Sequence, residues 1–245
     1  MNEKKRVSTA TLLGVIFGIV NYRIGVVETG DIPWPVMAQA ILTFALLGFA
    51  IGISTLKLSH WSIHGITMGA IFSLPLSCSG LMASNPELNQ TVVFTKITGF
   101  GIVSGLLIEL IVSQVLKAKA EAAGEINMRR TLITTITGLF CGAIAAGIAI
   151  AEPDPIPDSS IYETIITFAT LGFVIGISGL RTFHWSLHGS VIGAVISLPL
   201  ALTGLMAGDY ALGSTGIILI TVGLGAVSGL LAETVSSKMF KAGLQ

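Results

Sequence analysis

Charged residues are scarce in this chain. Lysine, arginine, aspartate and glutamate make up 11% of its 245 residues, whereas a soluble domain usually carries roughly 25%. The hydrophobic share is 52% and the mean hydropathy is +0.87. These values predict an integral membrane protein whose immediate partner is the lipid bilayer.

Other features are also missing. The formal net charge is zero, so nucleic acid is not an expected partner. The only two cysteines, Cys78 and Cys141, lie in apolar runs and do not suggest a disulfide framework. The sequence has no Walker loop and no HExxH, GxSxG or CxxC motif. We therefore expect no enzymatic activity and assign no catalytic residue.

Eight hydrophobic stretches are each long enough for a membrane-crossing helix, which needs about 20 mostly apolar residues. Their predicted ranges are 7–27, 36–56, 60–84, 91–117, 130–151, 160–180, 184–207 and 212–237. The alternating segments of about ten residues that form a membrane β-barrel are absent from the sequence. The predicted fold class is all-α integral membrane, with eight transmembrane helices.

The sequence repeats itself with a constant offset of 124 residues. Residues 41–83 and 165–207 are identical at 27 of 43 positions. Each half carries four predicted spans, an even number, so both halves should insert in the same sense. We predict two parallel repeats related by a pseudo-two-fold axis along the membrane normal. They are repeat 1 (1–119) and repeat 2 (130–245), joined by a cytoplasmic linker (120–129).

The basic residues predict the orientation in the membrane. If the N-terminus lies in the cytoplasm, the outer side holds only Arg23 and Lys96. The other eleven basic residues then lie on the inner side: Lys4, Lys5, Arg6, Lys57, Lys117, Lys119, Arg129, Arg130, Arg181, Lys238 and Lys241. An excess of lysine and arginine is typical of cytoplasmic segments. We therefore predict an inner (cytoplasmic) membrane location with both termini in the cytoplasm.

Glycine and proline indicate how the helices pack. Many of the 29 glycines lie four residues apart within a span, a spacing that lets helix backbones approach closely. Pro75 and Pro199 stand in the middle of two spans and should kink them. Ser73 and Ser197 precede these prolines, and we expect their hydroxyls to bond the carbonyls that the prolines free.

All four histidines lie in two matching motifs, HWSIHG (60–65) and HWSLHG (184–189). At 1.5 Å per residue, His64 lies about 9 Å inside the start of its span, and Glu109 about 12 Å inside the end of the next. His64 and Glu109 should therefore share a level in the membrane, and so should His188 and Glu233. The pseudo-axis would bring four imidazoles and two carboxylates towards the centre.

Three interpretations of this polar set remain open. As a metal site it would use His60, His64, His184, His188, Glu109 and Glu233 to bind a divalent transition metal. As a proton site it would use histidine and glutamate as a relay or gate that titrates near neutral pH. As a structural feature, His60 and His184 would be residues of the membrane interface, and the deeper His64 and His188 would hold two helices together.

The two halves differ in charge at their outer ends. The first half carries the cations Arg23 and Lys96, and the second carries the acids Asp158 and Glu163. We predict that these residues pair across the pseudo-axis and close an outer gate. Ordinary flanking charge is the alternative.

Together these features favour a membrane transporter or channel for a small solute or ion. A divalent metal as the transported ion and coupling to protons are both compatible with the sequence. The pathway would run between the repeats, lined by His64, His188, Glu109, Glu233, Ser73, Ser197, Pro75 and Pro199. The alternative is a non-transporting membrane protein, such as a metal-binding sensor or an assembly subunit of a larger complex. A homo-oligomer is compatible with either.

Overall fold

The computed structural model describes residues 2–30, 32–56, 58, 60–83, 89–117, 128–151, 157–180, 184–206 and 213–242. The chain divides into two compact units, Met1–Ile126 and Asn127–Gln245. The predicted linker, 120–129, falls largely on residues outside the described ranges. Three of the basic residues used to predict the orientation, Lys57, Lys119 and Arg181, also lie outside them.

Long helices form the first unit. They are α1 (Asn2–Thr29), α2 (Trp34–Ile53), α3 (Trp61–Ala83) and α4 (Gln90–Glu109), and α4 continues directly into a π-helical segment, Leu110–Val115. α1 packs along α2, and α3 packs along α4. Phe44, Leu47 and Ile51 of α2 are fully buried, so α2 supplies much of the core of this unit.

The second unit has the same order of elements, with one interruption. Its helices are α5 (Met128–Ile150), α6 (Asp158–Ile177), α7 (Trp185–Ile196), α8 (Leu198–Gly204) and α9 (Gly213–Thr234), which continues into a π-helical segment, Val235–Met239. α5 packs along α6, and α7 packs along α9. Phe168, Leu171 and Ile175 of α6 are fully buried.

Within the described residues, eight helical stretches are long and apolar enough to cross a membrane. The prediction of eight spans in an all-helical chain is therefore confirmed, and it indicates an integral membrane protein. The largest difference from the predicted bounds is at α1, which begins at Asn2 rather than at residue 7. The helix therefore includes Arg6, which the prediction left outside the first span.

Glycines create the closest helix contacts, as the four-residue spacing predicted. A Cβ atom built on Gly65 would lie 2.7 Å from the carbonyl oxygen of Gly105 on α4. The second unit repeats this contact between α7 and α9, where Gly189 faces the carbonyl oxygen of Gly229. Since a side chain needs more room than this, only glycine allows the helices to lie so close together.

The two mid-span prolines have different surroundings. Pro75 lies inside the continuous helix α3. In the second unit the helix is interrupted at Ser197, so Pro199 lies in the first turn of a separate helix, α8. A proline is tolerated there because the N–H groups in the first turn of a helix have no hydrogen-bond acceptor within the helix.

The serines that precede the prolines differ from the prediction in their acceptors. Ser73 donates to the carbonyl oxygen of Gly69 at 2.8 Å, and Ser197 donates to that of Ala194 at 2.9 Å. Neither acceptor is the carbonyl four residues before the proline, which the proline frees. A helical serine hydroxyl bonds the carbonyl three or four residues before it. The freed carbonyl is only two residues before each of these serines, so their hydroxyls do not bond it.

Candidate functional site

A buried polar network joins all four long helices of the first unit. Arg6 Nη2 donates to both carboxylate oxygens of Glu109, at 3.0 and 3.1 Å. His64 Nδ1 lies 3.0 Å from Glu109 Oε2, and His64 Nε2 lies 3.0 Å from Ser54 Oγ. No member is more than 5% exposed. We call Arg6, Glu109, His64 and Ser54 the first tetrad.

The second unit contains the same network, with each residue number higher by 124. Arg130 Nη2 lies 2.8 and 3.1 Å from the two carboxylate oxygens of Glu233. His188 Nδ1 lies 3.3 Å from Glu233 Oε2, and His188 Nε2 lies 3.1 Å from Ser178 Oγ. These four residues, the second tetrad, are at most 2% exposed.

A further serine completes the hydrogen bonding of each carboxylate. Ser113, one turn after Glu109, donates its hydroxyl to Glu109 Oε1 and accepts from Arg6 Nη1 at 3.0 Å. In the second unit, Ser237 donates to Glu233 Oε1 at 3.0 Å. Each buried carboxylate therefore bonds a guanidinium, an imidazole and a hydroxyl, which offsets the loss of its hydration.

Local structure explains how four distant sequence positions converge. Ser54 directly follows α2, His64 lies in the first turn of α3, and Glu109 is the last residue of α4. Gly65, next to His64, lies at one of the close contacts between α3 and α4, and a Cβ atom on it would lie 3.0 Å from Glu109 Cβ. Arg6 reaches this level because α1 begins before it. Both glutamates lie just before a π-helical segment, a feature often found at functional sites.

The hydrogen-bond roles in the tetrad follow from its chemistry. An ionised Glu109 can only accept, so His64 Nδ1 carries the hydrogen of that bond. In a neutral imidazole, Nε2 then accepts from the hydroxyl of Ser54, while Ser54 Oγ also accepts from the Leu56 N–H at 3.1 Å. If His64 gains a proton, Nε2 becomes a donor, and the two lone pairs of Ser54 Oγ can accept from both groups. The network can therefore take up one proton by turning a single hydroxyl.

His60 and His184 lie apart from the tetrads. Each comes directly before the first residue of its helix, is exposed, and bonds the serine two residues later, at 2.6 Å to Ser62 and 2.8 Å to Ser186. Their rings also lie against the neighbouring tryptophans. Since these histidines precede the helix, the rule that residues four apart share a helix face does not apply to them.

The predicted outer-gate residues make contacts inside their own units. Lys96 Nζ lies 2.9 Å from Glu28 Oε1, and both side chains are largely exposed. Glu163 is 1% exposed and accepts a hydrogen bond from Thr203 at 2.7 Å. Arg23 and Asp158 are exposed. Pairing of these residues between the repeats stays a prediction.

The donor set for a metal is small within each unit. Among the described residues, no group of three or more His, Cys, Asp and Glu side chains could hold a metal ion. In addition, the guanidinium of Arg6 already occupies both oxygens of Glu109, as Arg130 does for Glu233. A divalent cation at either carboxylate would be repelled by this fixed positive charge.

The first tetrad lines a cleft of about 180 Å³. The exposed His60 and the half-buried Trp61 also line it, together with Leu56, Leu58 and Ser113. The cleft is large enough for several water molecules, each of which takes up about 30 Å³ in the liquid. His64 therefore borders a cleft that the exposed His60 also lines.

The arginines and the serines of the tetrads are not among the site residues predicted from the sequence. The prediction assigns Arg6 and Arg130 only to the charged flanks of the spans and gives Ser54 and Ser178 no role. A signal for both was present, because each pair occupies corresponding positions in the 124-residue repeat. In addition, a carboxylate buried in a membrane span requires a cationic or hydrogen-bonding partner.

Replacing His188 by alanine should lower the free energy of unfolding by about 1–3 kcal/mol, because Glu233 and Ser178 would each lose a buried hydrogen-bond partner. The matched control is His184→Ala, which removes an exposed ring and should change stability by about 0.5 kcal/mol or less. Equilibrium unfolding in mixed detergent micelles measures both. Equal losses would contradict the different roles assigned to these histidines.

The geometry of the two tetrads is the basis for a functional assignment of this chain. No protein-family model matches it, no curated protein matches it, and no solved structure matches it.

Proposed function

We propose that this chain is a membrane transporter or channel that moves a small solute or ion, and that protonation of the tetrad histidines drives or gates the movement. The observation that carries the proposal is the tetrad itself: a buried imidazole held between a carboxylate and a hydroxyl, in both units.

The energetic cost of the tetrads supports a functional role. Ionisable groups are expensive inside a membrane, and they usually mark ion pathways, proton relays or ligand sites. Well-packed apolar residues often stabilise a buried position as well as an ion pair does. Packing α3 against α4 alone therefore does not require Arg6, Glu109 and His64.

The charge balance of a tetrad suits a proton switch. Arg6 and Glu109 compensate each other, so the tetrad is neutral while His64 is neutral and carries one positive charge when His64 is protonated. Arg6, Glu109 and Ser54 line the cleft next to His64, and the exposed His60 is a further ionisable residue on it. A change of one unit charge at a buried site has a large electrostatic effect, and it offers a means of coupling proton binding to a rearrangement of the helices.

The wider arrangement is part of the same proposal. The 124-residue repeat and the four spans in each half support two parallel repeats, with the pathway between them. The distribution of lysine and arginine supports cytoplasmic termini in an inner membrane. In that orientation both tetrads lie near the cytoplasmic side.

A non-transporting membrane protein is the second candidate, and one observation favours it. The side chains of Glu233 and His188 are 0% exposed, and their hydrogen bonds join α5, α7 and α9 within one unit. A fully satisfied network of this kind also serves to fix helices rigidly. An assembly subunit or a sensor would need no more than this.

Proton flux into vesicles separates the two candidates. The purified protein is reconstituted with an internal pH dye, and flux is recorded under an imposed membrane potential, with and without a panel of inorganic ions, organic acids and amino acids. The test variant is His64→Gln/His188→Gln, and the matched control is His60→Gln/His184→Gln. We expect flux above that of protein-free vesicles, reduced about tenfold or more in the tetrad variant because its proton acceptors are gone.

The control should retain the flux of the wild type, because His60 and His184 are exposed and lie outside the tetrads. Absence of flux with every member of the panel would favour the non-transporting candidate. Flux that survives in His64→Gln/His188→Gln would remove the tetrads from the pathway.

A further inference from the structure

A second buried carboxyl group lies far from the tetrad in the second unit. Glu163 is the sixth residue of α6 and is 1% exposed. Ser178, which belongs to the second tetrad, lies 15 residues further on, directly after the end of the same helix. At 1.5 Å per residue, the two positions are about 22 Å apart along α6, so Glu163 and the tetrad lie towards opposite membrane surfaces.

The corresponding site in the first unit shows which form of this side chain fits. Gln39 occupies the matching position of α2, is 1% exposed, and donates from Nε2 to Ser79 Oγ at 2.8 Å. In the second unit the hydroxyl of Thr203, which matches Ser79, donates to Glu163 Oε1 at 2.7 Å. A glutamine amide and a protonated glutamic acid have nearly the same shape and are both neutral.

We propose that Glu163 is a second proton-binding site, which carries a proton at neutral pH and releases it at alkaline pH. The ligand is the proton itself, held on a carboxyl oxygen next to Thr203. The step is a simple transfer to and from water, in which the O–H bond breaks and the carboxylate remains. The inference deepens the proposed function, because it places a proton site near each membrane surface.

Burial supports the neutral form. Transferring an ionised carboxyl group from water to an apolar environment is costly, and such groups often gain a proton instead. A protonated carboxyl group keeps one donor and still accepts at its other oxygen, so it can accept the bond from Thr203 in either state. The surrounding backbone is helical, and α6 begins five residues earlier at Asp158.

Other ionisable groups lie on the elements that pack against α6. On α6 itself, Asp158 and Tyr162 are exposed. On α5, Cys141 is half-buried and precedes Gly142, which contacts Ile165 of α6. The other groups belong to the far end of the unit: Arg129 and Arg130 of α5, His188 of α7 and Glu233 of α9. The residues of α8 include no ionisable side chain.

Infrared difference spectroscopy tests the inference directly. The carbonyl stretch of a protonated carboxylic acid is recorded on the purified full-length protein between neutral and alkaline pH. We expect the wild type to lose such a band as the pH rises. Glu163→Gln should lack the band altogether, and it should fold, because it installs the residue that the first unit already carries at this position.

The reciprocal variant keeps the test independent of a single substitution. Gln39→Glu should add a second band of similar frequency, because its surroundings match those of Glu163. Thr203→Val should shift the band of the wild type, because it removes the bond to Oε1. A band that persists in Glu163→Gln overturns the proposal, and so does a Glu163 that stays ionised, or stays protonated, over the whole pH range.

The infrared and flux measurements together distinguish this inference from the proposed function. If the infrared band behaves as expected while no proton flux is found in vesicles, Glu163 binds a proton and the transport proposal fails. If flux is found while the band is absent, the transport proposal stands and the assignment of Glu163 fails.

Discussion

Arg130→Ala should lower the free energy of unfolding by about 3–5 kcal/mol, the loss expected when one partner of a buried ion pair is removed. The Glu233 side chain is 0% exposed, and Arg130 Nη2 lies 2.8 and 3.1 Å from its two oxygens. Without the guanidinium, His188 and Ser237 remain as hydrogen-bond partners. The carboxyl group must then stay charged without its strong cation or take up a proton.

Arg129→Ala is the matched control, because it removes the same side chain one residue earlier. Arg129 is exposed, and its guanidinium carbon lies 6.0 Å from the centre of the Phe240 ring. A contact of this kind at an exposed site contributes about 0.5–1 kcal/mol, so the loss should stay near that value. Equilibrium unfolding in mixed micelles measures both variants.

The double variant Arg130→Met/Glu233→Met shows where the loss comes from. Replacing both charges by apolar side chains of similar volume is often neutral or stabilising. We therefore expect it to recover most of the stability that Arg130→Ala loses. If Arg130→Ala costs less than about 1 kcal/mol, or if the double variant is no better, the tetrad does not hold the unit together as an ion-pair network.

The depth of the buried polar groups along their helices could be predicted from the sequence, because it depends only on the number of residues from the end of the span. Helices rise by a fixed distance per residue, so counting from the ends of the spans placed His64 beside Glu109. The structure has these side chains 3.0 Å apart. The eight apolar stretches could be read for a similar reason, since their length is set by the thickness of the bilayer.

The arginines of the tetrads could not be placed by the same counting. A charged residue near the start of an apolar stretch is normally interpreted as one that flanks the membrane. The two exposed lysines before Arg6, Lys4 and Lys5, favour the same interpretation. The buried charge of Arg6 is compensated by Glu109, which lies 103 positions away in the sequence. Hydropathy averages over neighbours along the chain, so it does not register a charge that is neutralised by a distant residue.

For His60 and His184 the prediction was wrong in the opposite direction, because it placed them inside their spans with the other site residues. His60 and His64 are four residues apart, and on a continuous helix they would share a face. The helix α3 begins only at Trp61, so the His60 ring bonds Ser62 at the helix start instead. The last residue outside a helix depends on local capping, which the span prediction does not resolve.

Gly229→Ala should cost about 3 kcal/mol or more, which is at or above the usual loss for an overpacked core. A Cβ atom at residue 229 would meet the carbonyl group of Gly189 on α7 and would lie 3.0 Å from Gly193 Cα. Both contacts are with helix backbone, which cannot move aside as the end of a flexible side chain can. The variant must therefore push α7 away from α9.

Gly223→Ala is the control on the same helix. A Cβ atom built there has no heavy atom within 4 Å, and the residue is exposed. Since alanine favours a helix by up to about 1 kcal/mol over glycine, this variant should be as stable as the wild type or slightly more stable. Unfolding in mixed micelles gives both values.

The separation of α7 from α9 also has a consequence for the site. Gly229 lies one turn before Glu233, and Gly189 directly follows His188. Moving the helices apart at this point lengthens the bond between His188 and Glu233, which is 3.3 Å in the wild type. The imidazole signals of His188, followed by NMR on protein with labelled histidine, should therefore shift in Gly229→Ala and stay unchanged in Gly223→Ala. If both variants left stability and the His188 signals unchanged, the close approach of α7 and α9 would not be what sets the geometry of the tetrad.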